Sequence, residues 1–233
     1  GVRVGMLLTS PAGNDLPFDE KLCETGRNFS NKIWNAFRLV NGWEVDLNKE
    51  QPSSTSLAVN WINSRINSAL NDLESQYNEF RLSEALMTSY RLVWEEFCSW
   101  YLELIKPPYG EPIDKKTLDE TKAIFEKLLK ILHPFMPFLT EEVWHWLGEN
   151  DSPEDALIIA NWPSFGEINK DLLVDFEILK EIVGGIRNIR KNNNIPNQEK
   201  LNLKVQCGEN YPPHLELAIS HLTNLESIEN IND

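Results

Sequence analysis

The first part of the chain alternates apolar and polar residues with the period of an α-helix. From about Asp19, a good N-cap residue, to Gly42, apolar or small residues recur every three or four positions. The recurring positions are Leu22, Gly26, Phe29, Ile33, Phe37 and Val40. Residues with this spacing share one side of a helix, so the pattern predicts an amphipathic helix with that side buried.

Similar patterns continue through the next hundred residues. They predict helices from about Leu57 to Tyr77, from about Arg81 to Ile105, and from Asp114 to the segment 133–138. Two prolines in that segment cannot continue a helical hydrogen-bond ladder, so we expect a break there. A short helix is predicted to restart at Thr140, and residues 157–165 are predicted to form an extended strap.

The pattern changes in the last third of the chain. A helix is predicted from about Asp171 to Asn192, and strict alternation over 201–205 then predicts a half-buried strand. A short helix near 213–222 and a strand near 225–231 follow. The predicted fold class is therefore an all-α antiparallel helical bundle followed by a small α+β tail, whether truncated or complete. We expect a loop-like linker over 1–18, the bundle over 19–165, and the tail over 166–233.

The charge is uneven along the 233 residues. The net charge of -14 argues against nonspecific binding to nucleic acid, because phosphate groups attract Lys and Arg. However, residues 21–40 hold four basic residues against one acid, and residues 180–204 hold six against two. Two basic islands in an acidic body favour a local nucleic-acid contact. The three scattered cysteines fit a reduced, cytoplasmic protein. No apolar run approaches the roughly 20 residues needed to span a bilayer, so no membrane span is expected. The chain begins with Gly1, and we expect it to be a piece of a longer protein.

The polar side of the first predicted helix carries the most informative chemistry. Arg27, Asn31, Asn35 and Arg38 project away from the apolar side, and Asn28 and Lys32 lie beside them. Asparagine lowers helix stability, so a face selected only for solubility favours Glu and Lys instead. Arginine forks and asparagine amides can hydrogen-bond to the edges of unpaired bases. A solvated face without a ligand remains the alternative.

Three segments resemble one protein family. Residues 27–38, RNFSNKIWNAFR, are similar to the first helix of the anticodon-binding domain of valyl-tRNA synthetases. Residues 1–8 and 10–15 resemble the stretch after the lysine-rich loop of the family's catalytic domain. Residues 129–144, LKILHPFMPFLTEEVW, resemble a helix-break-helix shared by the valyl, isoleucyl and leucyl class I enzymes. The resemblance covers about residues 1–205.

The resemblance implies a division of labour. The full-length enzyme would be a ligase that attaches valine to its tRNA with ATP and magnesium, using catalytic and editing domains that this chain lacks. The chain itself would bind no cofactor or metal and would be catalytically inactive. Its expected partners are the valine tRNA, through Arg27, Asn28, Asn31, Lys32, Asn35 and Arg38, and the catalytic domain of the same chain. We expect a monomer.

The second basic island gives a weaker candidate contact. Arg187, Arg190 and Lys191 resemble the family's helix leading out of the bundle, where they would touch the tRNA backbone. The alternative is the solvated end of a helix, where cations are favourable. Three other functions stay open: an isoleucyl enzyme, a helical scaffold for protein partners, and a metal-binding bundle suggested by Glu142 and His145. The tryptophans at 61, 94, 100 and 144 are predicted to pack in the core, with Trp34 at its edge.

Overall fold

The computed structural model describes residues 1–8, 20–148, 152–206 and 211–231. Its α-helices are Val2–Leu8 (α1), Glu20–Asn41 (α2), Ser53–Asn78 (α3), Leu82–Arg91 (α4), Leu102–Ile105 (α5), Lys115–Leu132 (α6), Pro137–Gly148 (α7), Lys170–Asn192 (α8) and Glu216–Thr223 (α9). A π-helical segment, Leu92–Tyr101, joins α4 to α5 without a break. The predicted fold class is confirmed, since the helices pack into a bundle that is followed by a small mixed tail.

The few strands are short and pair in parallel. Val45–Asp46 (β1) pairs with Ile113–Asp114 (β2) and ties the loop after α2 to the start of α6. In the tail, Leu201–Val205 (β3) pairs with Leu225–Asn230 (β4), and α9 lies between them along the chain. Both tail strands were predicted, and β3 alternates between half-buried and exposed residues as expected.

The core of the bundle is built from the apolar sides of the long helices. On α2 the buried residues are Gly26, Phe29, Ile33, Ala36, Phe37 and Val40, close to the predicted set. Trp61 on α3 is fully buried and stacks on Phe176 of α8, with 4.6 Å between ring centroids and 6° between planes. This stack packs α8 against the bundle. The predicted division of the chain at residue 165 stays a prediction.

Helix starts follow local chemistry that the sequence only partly revealed. Asp114 caps α6 as predicted, because its carboxylate accepts a hydrogen bond from Thr117 N at 2.7 Å. The predicted restart at Thr140 is wrong, since α7 begins at Pro137, whose fixed backbone angle suits the first turn of a helix. Thr140 lies inside that helix, and its hydroxyl donates to Met136 O at 3.0 Å. Asp19, the expected cap of α2, lies outside the described residues.

Two segments that were predicted to lack helix contain short helical stretches. Residues 2–8 form α1 rather than a loop, and Gly1, the residue before α1, lies with its backbone close to that of Gly26 on α2. A glycine is needed there, because a Cβ on Gly26 would lie 2.2 Å from Gly1 O. The predicted strap begins with a 3-10 turn, Leu157–Ile159, and is irregular afterwards. Leu157 anchors it, with its backbone N–H donating to Glu141 Oε1 at 2.8 Å.

Candidate nucleic-acid interface

The polar face of α2 stands in solvent as one continuous surface. Arg27, Asn28, Asn31, Asn35 and Arg38 are all exposed, whereas the opposite side of the helix is buried in the core. Residues three and four apart on a helix are neighbours, so these five side chains form a single strip about three turns long. We call this strip the α2 polar face.

The α2 polar face has unused hydrogen-bonding capacity. Within the described parts of the chain, the five side chains form no intramolecular hydrogen bond or salt bridge. Asn offers a donor and an acceptor, and Arg offers a planar fork of donors. The face can therefore bind a partner rich in acceptors and mixed donor–acceptor edges, and RNA loops are such partners.

Lys32 borders the α2 polar face on one side and differs from its neighbours. It is partly buried, and its Nζ lies 5.5 Å from the centroid of the Trp94 ring. Trp94 in turn stacks on Tyr90, with 5.6 Å between centroids and 14° between planes. Phe29, from the buried side of α2, contacts Tyr90 at a centroid distance of 4.7 Å. An aromatic edge therefore lies beside the polar face.

The opposite border of the α2 polar face is also aromatic. Trp34 is partly buried and contacts Phe37 at a centroid distance of 5.4 Å. Of the tryptophans predicted to pack in the core, Trp61 and Trp144 are buried, while Trp94 and Trp100 are only partly buried. The partial exposure of Trp94 and Trp100 could not be predicted from the sequence, because their spacing is also that of core residues.

The three basic residues predicted on α8 differ in exposure, since two are exposed and one is buried. Arg187 and Lys191 are exposed on α8, and the Arg187 guanidinium lies 5.5 Å from the centroid of the Trp100 ring. Arg190 is only 3% exposed and donates to Thr223 O at 2.8 Å. Its two terminal guanidinium nitrogens donate to backbone carbonyls of the chain, and a guanidinium buried in this way is not accessible to RNA in this fold. The prediction for Arg190 is therefore corrected: it ties α8 to the tail.

Groups suited to nucleophilic or metal chemistry are few in the described residues. Burial raises the pKa of Cys98 to about 12, so its thiol stays protonated at neutral pH. No group of three or more His, Cys, Asp or Glu side chains that could hold a metal ion occurs in the part of the chain that the structure covers. His145 Nε2 instead lies 3.5 Å from Glu141 Oε1. None of the helices in the described ranges is long and apolar enough to cross a membrane.

Comparisons with known proteins identify the class. The sequence profile of the family described as the anticodon-binding domain of tRNA ligase matches residues 59–206. The chain belongs to this family. The matched range begins after α2, so the polar face lies outside it, whereas α8 lies within it.

Individual relatives carry a more particular name. Valine–tRNA ligase of Christiangramia forsetii is 48% identical over 229 residues, which are 98% of this chain and 26% of the relative. Valine–tRNA ligase of Parabacteroides distasonis is 47% identical over 233 residues, which are 100% of this chain and 26% of the relative. That of Rhizorhabdus wittichii is 38% identical over 203 residues. The chain thus spans about a quarter of the length of these relatives.

Proposed function

We propose that this chain is the anticodon-binding part of a valine–tRNA ligase and that the α2 polar face contacts the anticodon loop. The observation that carries the proposal is the strip of arginine and asparagine side chains that have no partner within the described chain. Unpaired bases of an RNA loop present the edges that such side chains bind. The family match and the names of the relatives support the same assignment.

We propose that the catalytic chemistry belongs to the part of the full-length protein that corresponds to the unmatched length of the relatives. There, the full-length protein would attach valine to its tRNA with ATP and magnesium. The role of this chain is then to select the tRNA and to orient it, and no catalytic residue is assigned to it. We further propose that the protein is a cytoplasmic monomer. Arg187 and Lys191 are proposed to contact the tRNA backbone, because both are exposed cations on α8.

Binding of short RNA stem-loops to the 233-residue chain tests the proposal. The probe is a fluorescent stem-loop with a valine anticodon, compared by anisotropy with stem-loops carrying an isoleucine or a scrambled anticodon. We expect the valine stem-loop to bind most tightly. The substitutions Arg27→Ala, Asn31→Ala and Asn35→Ala should each reduce this preference by roughly 1–3 kcal/mol, the usual discrimination of a good base contact.

A matched control separates loss of the site from loss of the fold. Asn60→Ala removes an exposed asparagine from α3, a helix that does not carry the polar face, and should leave the preference unchanged. Equal binding of all three stem-loops would contradict the proposed function. A preference that survives the three α2 substitutions would refute the site while keeping the function. A preference for the isoleucine stem-loop would change the amino acid assigned.

A further inference from the structure

The aromatic pair Tyr90 and Trp94 is held in a fixed orientation at the surface. The two rings stack one helical turn apart, and Phe29 of α2 contacts both, with centroid distances of 4.7 Å to Tyr90 and 6.3 Å to Trp94. Both residues are partly buried, so each keeps part of its surface in solvent. Rings held in this way lose little further freedom when a ligand stacks on them.

The pair is adjacent to the α2 polar face. Lys32 lies over Trp94, with its Nζ 5.5 Å from the ring centroid. Asn28, one turn before Lys32 on the same helix, is exposed and belongs to the polar face. A nucleotide whose base edge reaches Asn28 or Asn31 therefore has an aromatic surface within one helical turn.

We propose that Trp94, supported by Tyr90, is the stacking surface for one unpaired base of the bound RNA loop, and that Lys32 leaves the ring for a phosphate when the base arrives. The proposal rests on the proposed function and names how part of the RNA is held. The ring face attracts both a cation and a base, and base stacking stabilises a complex more than a cation–π contact does unless the cation is fully desolvated. The exchange is therefore favourable, and the released ammonium gains a phosphate partner.

An acidic neighbour of Trp94 favours stacking over a further phosphate contact at this place. The chain has a net charge of -14, and Glu95, next to Trp94, is exposed. Carboxylates repel the RNA backbone, but they repel an uncharged base much less. An aromatic surface can therefore add affinity at a place where phosphate binding would be weakened.

Removing the base and removing the ring test the proposal together. Stem-loops with a valine anticodon are made with one abasic nucleotide at each loop position in turn, and their affinities for the chain are measured by anisotropy. With the unaltered protein, an abasic nucleotide at one loop position should lower the affinity about tenfold. With Trp94→Leu, the same abasic nucleotide should lower the affinity little further. Trp94→Leu alone should lose about tenfold with the intact loop, and Trp94→Phe should recover part of that.

Trp100→Leu is the matched control, because Trp100 is also partly buried and also has a cation, Arg187, over its ring. Its effect on affinity should be the same for every abasic stem-loop. Circular dichroism and thermal melting check that each variant folds. Photocrosslinking of 5-bromouridine stem-loops to the unaltered protein needs no substitution, and we expect the crosslink on Trp94 or Tyr90.

The outcomes distinguish the two proposals. If the unaltered chain does not prefer the valine stem-loop, the proposed function and the stacking surface both fail. If the preference is present but Trp94→Leu changes all abasic stem-loops equally, or the crosslinks map only to other residues, the stacking surface alone is refuted.

Discussion

Lys180 on α8 lies with its ammonium 2.7 Å from the carboxylate of Glu96 in the π-helical segment. Glu96 is 7% exposed, and its other carboxylate oxygen accepts a hydrogen bond from Arg65 of α3 at 3.2 Å. The same ammonium lies 5.2 Å from the centroid of the Trp61 ring. Three elements thus share one buried carboxylate, which fixes the position of α8 on the bundle.

Replacing Lys180 by methionine should destabilise the chain, because among the described residues Glu96 would keep only Arg65 as a partner for its buried charge. We expect the free energy of unfolding to fall by about 1.5–3 kcal/mol, the usual range for a hydrogen bond to a charged group. Urea denaturation followed by circular dichroism measures this. Lys116→Met is the control, because Lys116 is exposed and lies 4.0 Å from Glu120, and it should change stability by less than about 1 kcal/mol. Equal effects of the two substitutions would contradict the assigned role of the buried pair.

Gly26→Ala should separate α1 from α2. A Cβ at this position would lie 2.2 Å from Gly1 O, so the backbone of α1 must move away. We expect a loss of roughly 1–3 kcal/mol from overpacking, larger than the gain of about 1 kcal/mol in helix propensity. Val4, now 2% exposed, should become accessible to solvent. Hydrogen exchange of the α1 amides should then be faster.

Gly184→Ala on α8 is the control substitution for Gly26→Ala. A Cβ there would meet no atom of the described residues within 4 Å. The substitution should therefore stabilise the chain, by about 0.5–1 kcal/mol, through the lower entropy of the unfolded state and better helix propensity. Changes of the same sign at the two glycines would show that close packing at Gly26 is not the deciding factor.

Most of the fold could be predicted because it follows from periodicity and local chemistry. The buried side of α2 and the cap at Asp114 both depend only on residues close together in the sequence. The start of α7 was missed by three residues, because Thr140 is a good cap by type but Pro137 lies nearer to the break. Local preference alone could not rank the two.

The candidate site was predicted only where one helix contains it. The α2 polar face needs nothing but helical geometry, and it is continuous in the structure. The spacing of four, three and four from Leu179 through Val183 and Ile186 to Arg190 already places Arg190 on the buried side of α8, but its partner there, Thr223 O, depends on how the tail packs. Tyr90 and Trp94 lie on other elements, so their position beside Lys32 depends on how the helices pack.

His133 should make stability depend on pH near neutrality. Burial lowers the pKa of His133 below its ordinary value of 6.5, with Glu141 acting in the opposite direction. Its Nδ1 lies 2.8 Å from Thr140 Oγ1, while its Nε2 is buried without a hydrogen-bond partner in the described residues. A proton on Nε2 would therefore place a charge where no acceptor stands.

The sign of the effect follows from proton binding. Because the folded pKa is the lower one, the unfolded chain binds more protons between the two values. The contribution of His133 is thus complete above about pH 6.5 and is lost as the pH falls through 6.5 toward the folded pKa. His133→Gln does not titrate, so the stability difference between wild type and variant should shift in favour of the variant from pH 7.5 to 5.5. Parallel curves for the two proteins would exclude this role.

The salt dependence of RNA binding should separate phosphate contacts from base contacts on the α2 polar face. If Arg38 contacts a phosphate, Arg38→Gln should reduce the slope of log affinity against log salt by about 0.7–0.9, since one fewer counterion is released. Asn31→Ala should leave the slope unchanged and reduce the preference for the valine stem-loop, because an amide that binds a base edge releases no counterion. Titrations of the valine and the scrambled stem-loops at four salt concentrations measure the salt slope and the preference independently. A slope near zero for the unaltered chain would favour a scaffold for protein partners, because apolar contacts do not weaken as salt is raised.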